Sequence, residues 1–207
     1  MADDVRPRAI VHHFRDQLEY SATLSDEPAW VEFYQRLWPD LVAAVRLDQN
    51  GQGQRDGLDR VVHLPSGRCF TIDEKKRAKD YGDVLLEDWS VWYGDRDPRN
   101  KIGWALDNHK RCDFVAYAIP SSGKCYFMPF EILRLAFVAN RADWERLPSP
   151  NGRRPDVKNV GYVTRNIAVP WPTLRMALVQ QMNRRFSGSL PLPIPTVNGA
   201  QLEFGWI

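Results

Sequence analysis

Residues 58–77 read LDRVVHLPSGRCFTIDEKKR, and this stretch decides the fold more than any other part of the chain. Two runs rich in β-branched and aromatic residues flank Pro65-Ser66-Gly67. This turn sequence combines a fixed φ with a following residue that tolerates positive φ. The stretch therefore predicts a β-hairpin, with Asp59 on its first strand and Asp73-Glu74-Lys75 at the end of its second.

Alternation along the second strand places Asp73 and Lys75 on one face of the hairpin, because side chains along a strand repeat with a period of two. Asp59 meets Asp73 only if the register of the two strands brings them together, and the sequence leaves that register open. The triplet Glu74-Lys75-Lys76 also satisfies an acid-x-lysine pattern. Alternation favours Asp73 with Lys75 over this second triplet.

Two carboxylates that converge can hold a hard divalent cation through oxygen, and a neighbouring lysine can orient or activate a water and offset phosphate charge. Such a group predicts hydrolysis of phosphodiester bonds. The plain alternative is a solvated, charged strand end, which is what most charge runs are. Another acid-x-lysine triplet, Asp156-Val157-Lys158, follows a polar loop, and we expect no catalytic role for it.

The hairpin, the Asp59…Asp73-x-Lys75 spacing and the flanking elements resemble the PD-(D/E)xK nuclease superfamily, over about residues 30–137. The resemblance implies an α/β, restriction-endonuclease-like fold with an α-β-β-β-α-β core, in which helices flank a mixed central sheet. It also implies one or two magnesium ions, for which manganese is expected to substitute, and hydrolysis of nucleic-acid phosphodiesters. The proline that often precedes the first acid is absent, since Gly57-Leu58 stands there.

The resemblance assigns metal-binding and catalytic roles within the hairpin. Asp59 and Asp73 are expected to bind magnesium, and the backbone carbonyl of Glu74 to complete the shell of the ion. Lys75 is expected to activate or steer the attacking water.

Other candidates lie outside the hairpin strands. Glu32 in the first core helix and Glu87 on a later apolar stretch are further catalytic candidates. An exposed helical glutamate is the simpler interpretation of Glu32, and a structural acid is an equal alternative for Glu87. The basic residues expected to contact phosphates next to the site are Lys76, Arg77 and Lys79.

The flanking segments predict one nuclease-like domain over residues 1–207, with a core of about residues 26–140 and a C-terminal strand-helix extension of about residues 156–207. Helical spacing from Asp26-Glu27-Pro28 to Pro39 predicts the first helix. The other predicted elements are a strand at 41–47, a loop at 48–57, a second hairpin at 114–130, a helix at 131–139, a strand at 160–169 and a helix at 174–185.

Composition limits the possible partners. The net charge of the 207-residue chain is only +2, so affinity for nucleic acid has to come from locally grouped lysines and arginines. The three cysteines lack zinc-knuckle spacing.

No apolar run is long enough to span a bilayer, and the start of the chain lacks the hydrophobic core of a signal peptide. We therefore expect no membrane partner and a cytoplasmic location in a bacterial or phage-infected cell.

These observations predict a magnesium-dependent deoxyribonuclease, an endonuclease rather than an exonuclease, with DNA as its nucleic-acid partner. The run IDEKKRAKDYGD resembles nuclease-like proteins of phages and mobile elements. Two alternatives stay open: a catalytically inactive DNA-binding module on the same fold, and a protein-interaction module with a tryptophan-rich surface. DNA versus RNA, endonuclease versus exonuclease and the oligomeric state are also open, a homodimer being one of the options.

Overall fold

The computed structural model of the protein describes residues 27–47, 56–148, 155–186 and 201–203. In these ranges the chain forms three α-helices and ten β-strands. They are α1 (Glu27–Leu37), β1 (Ala43–Arg46), β2 (Arg60–His63), β3 (Cys69–Lys76), β4 (Asp83–Trp92), β5 (Lys101–Ile102), β6 (Phe114–Ile119), β7 (Lys124–Pro129), α2 (Phe130–Trp144), β8 (Val157–Lys158), β9 (Val163–Pro170), α3 (Trp171–Phe186) and β10 (Gln201–Glu203).

The hairpin predicted from residues 58–77 is confirmed. β2 pairs antiparallel with β3, so that Arg60 lies opposite Ile72 and His63 opposite Cys69. Gly67 in the turn has a φ of 79°, a left-handed conformation that glycine adopts without steric cost. Its N–H donates to the carbonyl of Leu64 at 3.0 Å and closes the turn.

A six-stranded mixed sheet forms the centre of an α/β fold. Its strand order is β1-β2-β3-β6-β7-β10, in which β3 and β6 are parallel and the remaining neighbours are antiparallel. A parallel pair needs a crossover connection, and the implied α-β-β-β-α-β order expects a helix there. In the described structure the connection from β3 to β6 contains β4 and β5 instead, which belong to a second sheet of order β5-β4-β9-β8.

The sequence of β4 explains why this segment is a strand. Val84, Leu86 and Asp88 are buried at alternate positions, which is the period of a strand with one covered face and not that of a helix. β9 pairs antiparallel along most of β4, from Asp83 opposite Pro170 onward.

Two hydrophobic clusters define the layers. Helix α1 packs against one face of the central sheet, where Phe33 and Tyr34 join a cluster with Ile72. Val115 and Tyr117 on β6 belong to the main cluster, together with residues of β4, β9, α2 and α3. The even-numbered positions of β3 therefore face α1, and the odd-numbered positions face the second sheet.

Most predicted elements are confirmed with shifted bounds, whereas residues 48–55 of the predicted loop lie outside the described residues. Helix α1 ends two residues before Pro39, and α2 continues from the predicted segment to Trp144. The segment predicted as a C-terminal extension contributes β9 to the second sheet and Leu174 to the main cluster. Among the helices in the described ranges, none has both the length and the apolar character required to cross a membrane.

Candidate active site

The hairpin register brings Asp59 opposite Asp73. Asp59 precedes Arg60, the partner of Ile72, and its N–H donates to the Ile72 carbonyl at 3.0 Å. Its Oδ2 accepts the backbone N–H of Glu74 at 2.7 Å. Opposite residues of an antiparallel pair point to the same face, so the two carboxyl groups share one side of the sheet.

Two ammonium groups compensate Asp73, which is only 1% exposed. Lys75 Nζ donates to Asp73 Oδ1, and Lys110 Nζ donates to Asp73 Oδ2 at 2.7 Å. Burial acts to raise the pKa of Asp73, but the two lysines outweigh it and hold that pKa below its usual value. Asp73 is therefore ionised at neutral pH.

Asp59 and Lys75 respond to this environment in different ways. Burial raises the pKa of Asp59 to about 6; Lys75 opposes the rise and the Asp73 carboxylate adds to it. Burial acts to lower the pKa of Lys75, but Asp73 and Asp59 outweigh it and raise that pKa above its usual value. Lys75 thus keeps its proton, and it can donate hydrogen bonds but cannot act as a base in this state.

Glu74 points to the opposite face of β3. Its Oε1 accepts hydrogen bonds from Arg60 Nε at 2.5 Å and from the Tyr34 hydroxyl at 2.9 Å. The side chain of Arg60 is fully buried. The alternative triplet of Glu74 with Lys76 would therefore direct its acid away from Asp59. The role assigned to the Glu74 carbonyl stays a prediction.

Glu87 approaches the same site from β4 of the second sheet. Burial raises its pKa, while the backbone N–H of Trp104, at 3.3 Å from Oε1, and the charges of Lys75 and Lys110 oppose the rise. The negative charge of Asp73 adds to the rise in the pKa of Glu87. We call Asp59, Asp73, Lys75, Glu87 and Lys110 the acid–lysine cluster.

The structure does not bring Glu32 to the acid–lysine cluster, which corrects its predicted catalytic role. Its side chain is 54% exposed on α1 and pairs with Arg36 one turn later. Helix α1 packs on the sheet face opposite Asp73, so the simpler interpretation, an exposed helical glutamate, describes Glu32.

The three predicted phosphate ligands differ in their surroundings. Lys76 and Arg77 line a cavity beside the cluster, and Lys79 is exposed in the bend that follows β3. The Arg77 guanidinium forms an ion pair with Asp83 and lies 4.7 Å from the centre of the Tyr81 ring. Part of the Arg77 charge is therefore compensated within the protein.

The cavity has a volume of about 640 Å³ and is lined by residues of both sheets. Lys75 and Glu87 border it and also belong to the acid–lysine cluster. We call it the lysine-lined cavity. Its lining residues are Lys75, Lys76, Arg77, Leu85, Glu87, Ser90, Val91, Lys101, Trp104, Tyr117, Val157, Asn159, Tyr162, Thr164 and Asn166.

Sequence reasoning missed Lys110 and the packing around Gly57. Lys110 lies 37 residues from Asp73 in a loop without a recognisable motif, so only the tertiary structure reveals the contact. Gly57 has a φ of 72°, and a Cβ added there would lie 2.7 Å from Lys110 Nζ and 3.3 Å from Asp73 Oδ2. Because it has no side chain, Gly57 leaves room for this ion pair.

The carboxylates of Asp59 and Asp73 suit magnesium, which keeps waters among its ligands, better than a metal whose ligands all come from the protein. In the part of the chain that the structure describes, no three or more His, Cys, Asp or Glu side chains form a group that could hold a metal. Magnesium, however, commonly uses one or two carboxylates and completes its shell with waters and substrate phosphate. The Asp59–Asp73 pair fits this mode, and because burial raises the pKa of Asp59, a cation bound there would favour its ionised form.

Comparisons of the chain with protein-family models, with curated proteins and with solved structures gave no match. A function is therefore inferred from the geometry of the acid–lysine cluster and the lysine-lined cavity.

Proposed function

We propose that the protein is a magnesium-dependent endonuclease of the PD-(D/E)xK kind that hydrolyses DNA. The observation that carries this proposal is the placement of Asp59, Asp73 and Lys75 on one face of adjacent strands, with Lys75 bonded to Asp73. The mixed central sheet supports a restriction-endonuclease-like core in which β4 and β5 replace the crossover helix. A cytoplasmic, phage-related setting belongs to the same proposal.

The chemistry divides between a bound ion and the side chains of the cluster. Magnesium held by Asp59 and Asp73 would lower the pKa of a water and polarise the phosphate. Lys75, which keeps its proton, donates a hydrogen bond to the attacking water or to a phosphate oxygen and stabilises the negative charge that develops there. It steers the water and does not accept its proton.

The test is cleavage of labelled DNA by the purified protein with magnesium, with manganese and with EDTA. We expect Lys75→Ala to lower the cleavage rate by at least about 100-fold, the usual scale for one preorganised donor. The variant should fold, because Lys110 still compensates Asp73. Lys158→Ala, in the triplet with Asp156, is the matched control and should cleave like wild type. Equal rates for Lys75→Ala and wild type, or no metal-dependent cleavage by wild type, would refute the proposal.

One observation favours the second candidate, an inactive binding module. Both oxygens of Asp73 already accept hydrogen bonds from lysines, so the protein compensates this carboxylate without a metal. Calorimetric titration with manganese separates the two candidates. If the protein is a nuclease, manganese binding should give a measurable heat that Asp73→Asn abolishes. If it is an inactive binding module, the titration should show no heat of manganese binding.

A further inference from the structure

The lysine-lined cavity combines cationic and aromatic groups. Lys75 lies on β3, and Lys101 lies on β5 of the second sheet. Among the described lining residues Glu87 is the one acid, and ion pairs with Asp73 and Asp83 compensate Lys75 and Arg77, so the positive charge offered to a phosphate is centred on Lys101. The aromatic side chains of the lining are Trp104, Tyr162 and Tyr117, of which Tyr117 is buried in the main cluster and leaves Trp104 and Tyr162 for stacking. Positive grooves with aromatic side chains are the surfaces on which unpaired bases stack while the backbone is held.

We propose that this cavity admits one strand of nucleic acid, and that single-stranded DNA is the substrate class of the site. The proposal rests on the proposed nuclease function for its catalytic meaning, but strand binding is measurable without hydrolysis. Lys75 connects the lysine-lined cavity to the acid–lysine cluster, because it lines the cavity and donates a hydrogen bond to Asp73.

Burial of the acids explains why a single strand is required. Asp73 is 1% exposed, and the side chain of Lys110 is 7% exposed. Lys75 and Glu87 are the cluster members that line the cavity, so a phosphate bound there would approach the acids past these two side chains. A duplex is a stiff rod with a persistence length of about 50 nm, and its backbone does not bend into a recess. The volume of about 640 Å³ lies within the range of small-molecule pockets, which suits a nucleotide or two of a flexible strand.

The neutral polar groups of the lining favour binding without sequence preference. Thr164 Oγ1 donates to the carbonyl of Ser90 at 2.9 Å, and Asn159 Nδ2 donates to Thr164 Oγ1 at 3.0 Å. Asn166 Nδ2 donates to the carbonyl of Pro155 at 3.0 Å. These donors hold the walls of the cavity together. A bound strand is then held by base stacking and by phosphate contacts, and neither depends on the identity of the base.

The experiment measures fluorescence anisotropy of labelled oligonucleotides with the full chain in EDTA, so that no hydrolysis occurs. The probes are a mixed-sequence single DNA strand, the same strand in a duplex and the equivalent RNA strand. We expect single-stranded DNA to bind at least about tenfold more tightly than the duplex. Lys101→Glu should weaken single-strand binding about tenfold and flatten its salt dependence, because one phosphate contact is lost and its charge reversed.

The matched control is Lys158→Glu, an exposed lysine on β8 that is not part of the cavity lining. It should change single-strand affinity less than about twofold. Trp104→Leu provides a second variant, which should weaken single-strand binding without altering its salt dependence.

The outcomes separate this proposal from the nuclease proposal. Single-strand preference that Lys101→Glu removes, without any cleavage in magnesium, supports the strand site and refutes the nuclease. Equal or tighter duplex binding, an RNA strand bound more tightly than DNA, no single-strand binding at all, or equal effects of Lys101→Glu and Lys158→Glu would each overturn the strand proposal, even if duplex DNA were cleaved.

Discussion

At the scale of single residues, Asp59 is a carboxyl group held in a buried position where its ionisation is unfavourable. Its carboxyl is largely buried beside the Asp73 carboxylate, and its pKa of about 6 stands above the usual 3.8. Ionised Asp59 therefore destabilises the folded protein. Such a cost is common at functional sites, where perturbed pKa values cluster. A bound cation would offset it, which is consistent with the proposed metal role.

Asp59→Asn is expected to stabilise the protein above pH 6. Between pH 3.8 and about 6 the unfolded chain has released the proton of Asp59 and the folded chain has not. Wild type therefore loses stability as the pH rises through this window, by about 3 kcal/mol as an order of magnitude, and neutral asparagine does not. Urea unfolding followed by tryptophan fluorescence from about pH 4 to about pH 8 measures the difference between the two proteins.

The difference in the free energy of unfolding should be small near pH 4 and largest above pH 6. A difference that does not change with pH, or a variant that is less stable at pH 8, would contradict this account of Asp59. Asp143→Asn, an exposed aspartate 80% accessible on α2, is the control and should show no such pH dependence.

The residue-scale predictions succeeded where a local rule was sufficient. Alternation along one strand places Asp73 and Lys75 on a common face, and the structure confirms that placement. The contact of Lys110 with Asp73 could not be predicted, because no periodicity connects a loop residue to a strand that lies 37 residues away. The position of Glu32 failed for a similar reason, since helical spacing does not state which sheet face a helix will cover.

At the scale of elements, β3 has two functions on its two faces. Its odd positions supply the acid–lysine cluster, and Glu74 on the even face joins Arg60 and Tyr34 between the sheet and α1. The Arg60 guanidinium also lies 5.6 Å from the centre of the Tyr34 ring and donates to the Ala44 carbonyl at 3.3 Å. This buried ion pair fixes α1 on the sheet and the hairpin against β1.

Glu74→Ala is expected to lower the free energy of unfolding by about 3–5 kcal/mol, because the fully buried Arg60 loses its ion pair with Glu74. Tyr34→Phe should cost about 1 kcal/mol, the value of one hydrogen bond. The matched control is Glu32→Ala, a glutamate exposed on α1, which should change stability by less than about 0.5 kcal/mol. Chemical denaturation measures all three, and equal effects of Glu74→Ala and Glu32→Ala would refute this role.

The element between β3 and β6 marks where family resemblance and residue pattern disagree. The resemblance implies a helix in the crossover, whereas the alternate burial of Val84 and Leu86 is typical of a strand. Their partner strand β9 lies some 80 residues later in the chain. Pairing over such a distance leaves no local signal, so the second sheet could not be predicted from sequence although both of its long strands lay on apolar runs.

At the scale of the whole molecule, the main cluster joins the two sheets to α2 and α3. Val84 and Leu86 from the crossover segment pack in the same cluster as Val169 and Leu174 from the C-terminal segment. The sequence predicted the α/β class and both hairpins, but it separated these segments into a core and an extension. Because they share one cluster, we expect the two segments to unfold together.

Val169→Ala is expected to lower the free energy of unfolding by about 2 kcal/mol, because two buried methyl groups are lost and a small void remains. The loss should appear in one transition, detected alike by circular dichroism and tryptophan fluorescence. Val157→Ala, at a residue 37% exposed on β8 of the same sheet, is the control and should change stability little. Two separate transitions, with Val169→Ala affecting only one, would show that the C-terminal segment is an independent unit.

Gly57 has a consequence for anyone who wishes to redesign this protein. An alanine at residue 57 would need a strained φ of 72°, and its methyl group would displace the ammonium of Lys110 from Asp73. A single backbone position therefore controls how many cations Asp73 retains. A library of loop variants that preserves Gly57 would keep this electrostatic setting, whereas one that varies Gly57 would alter it in every member that carries a side chain there.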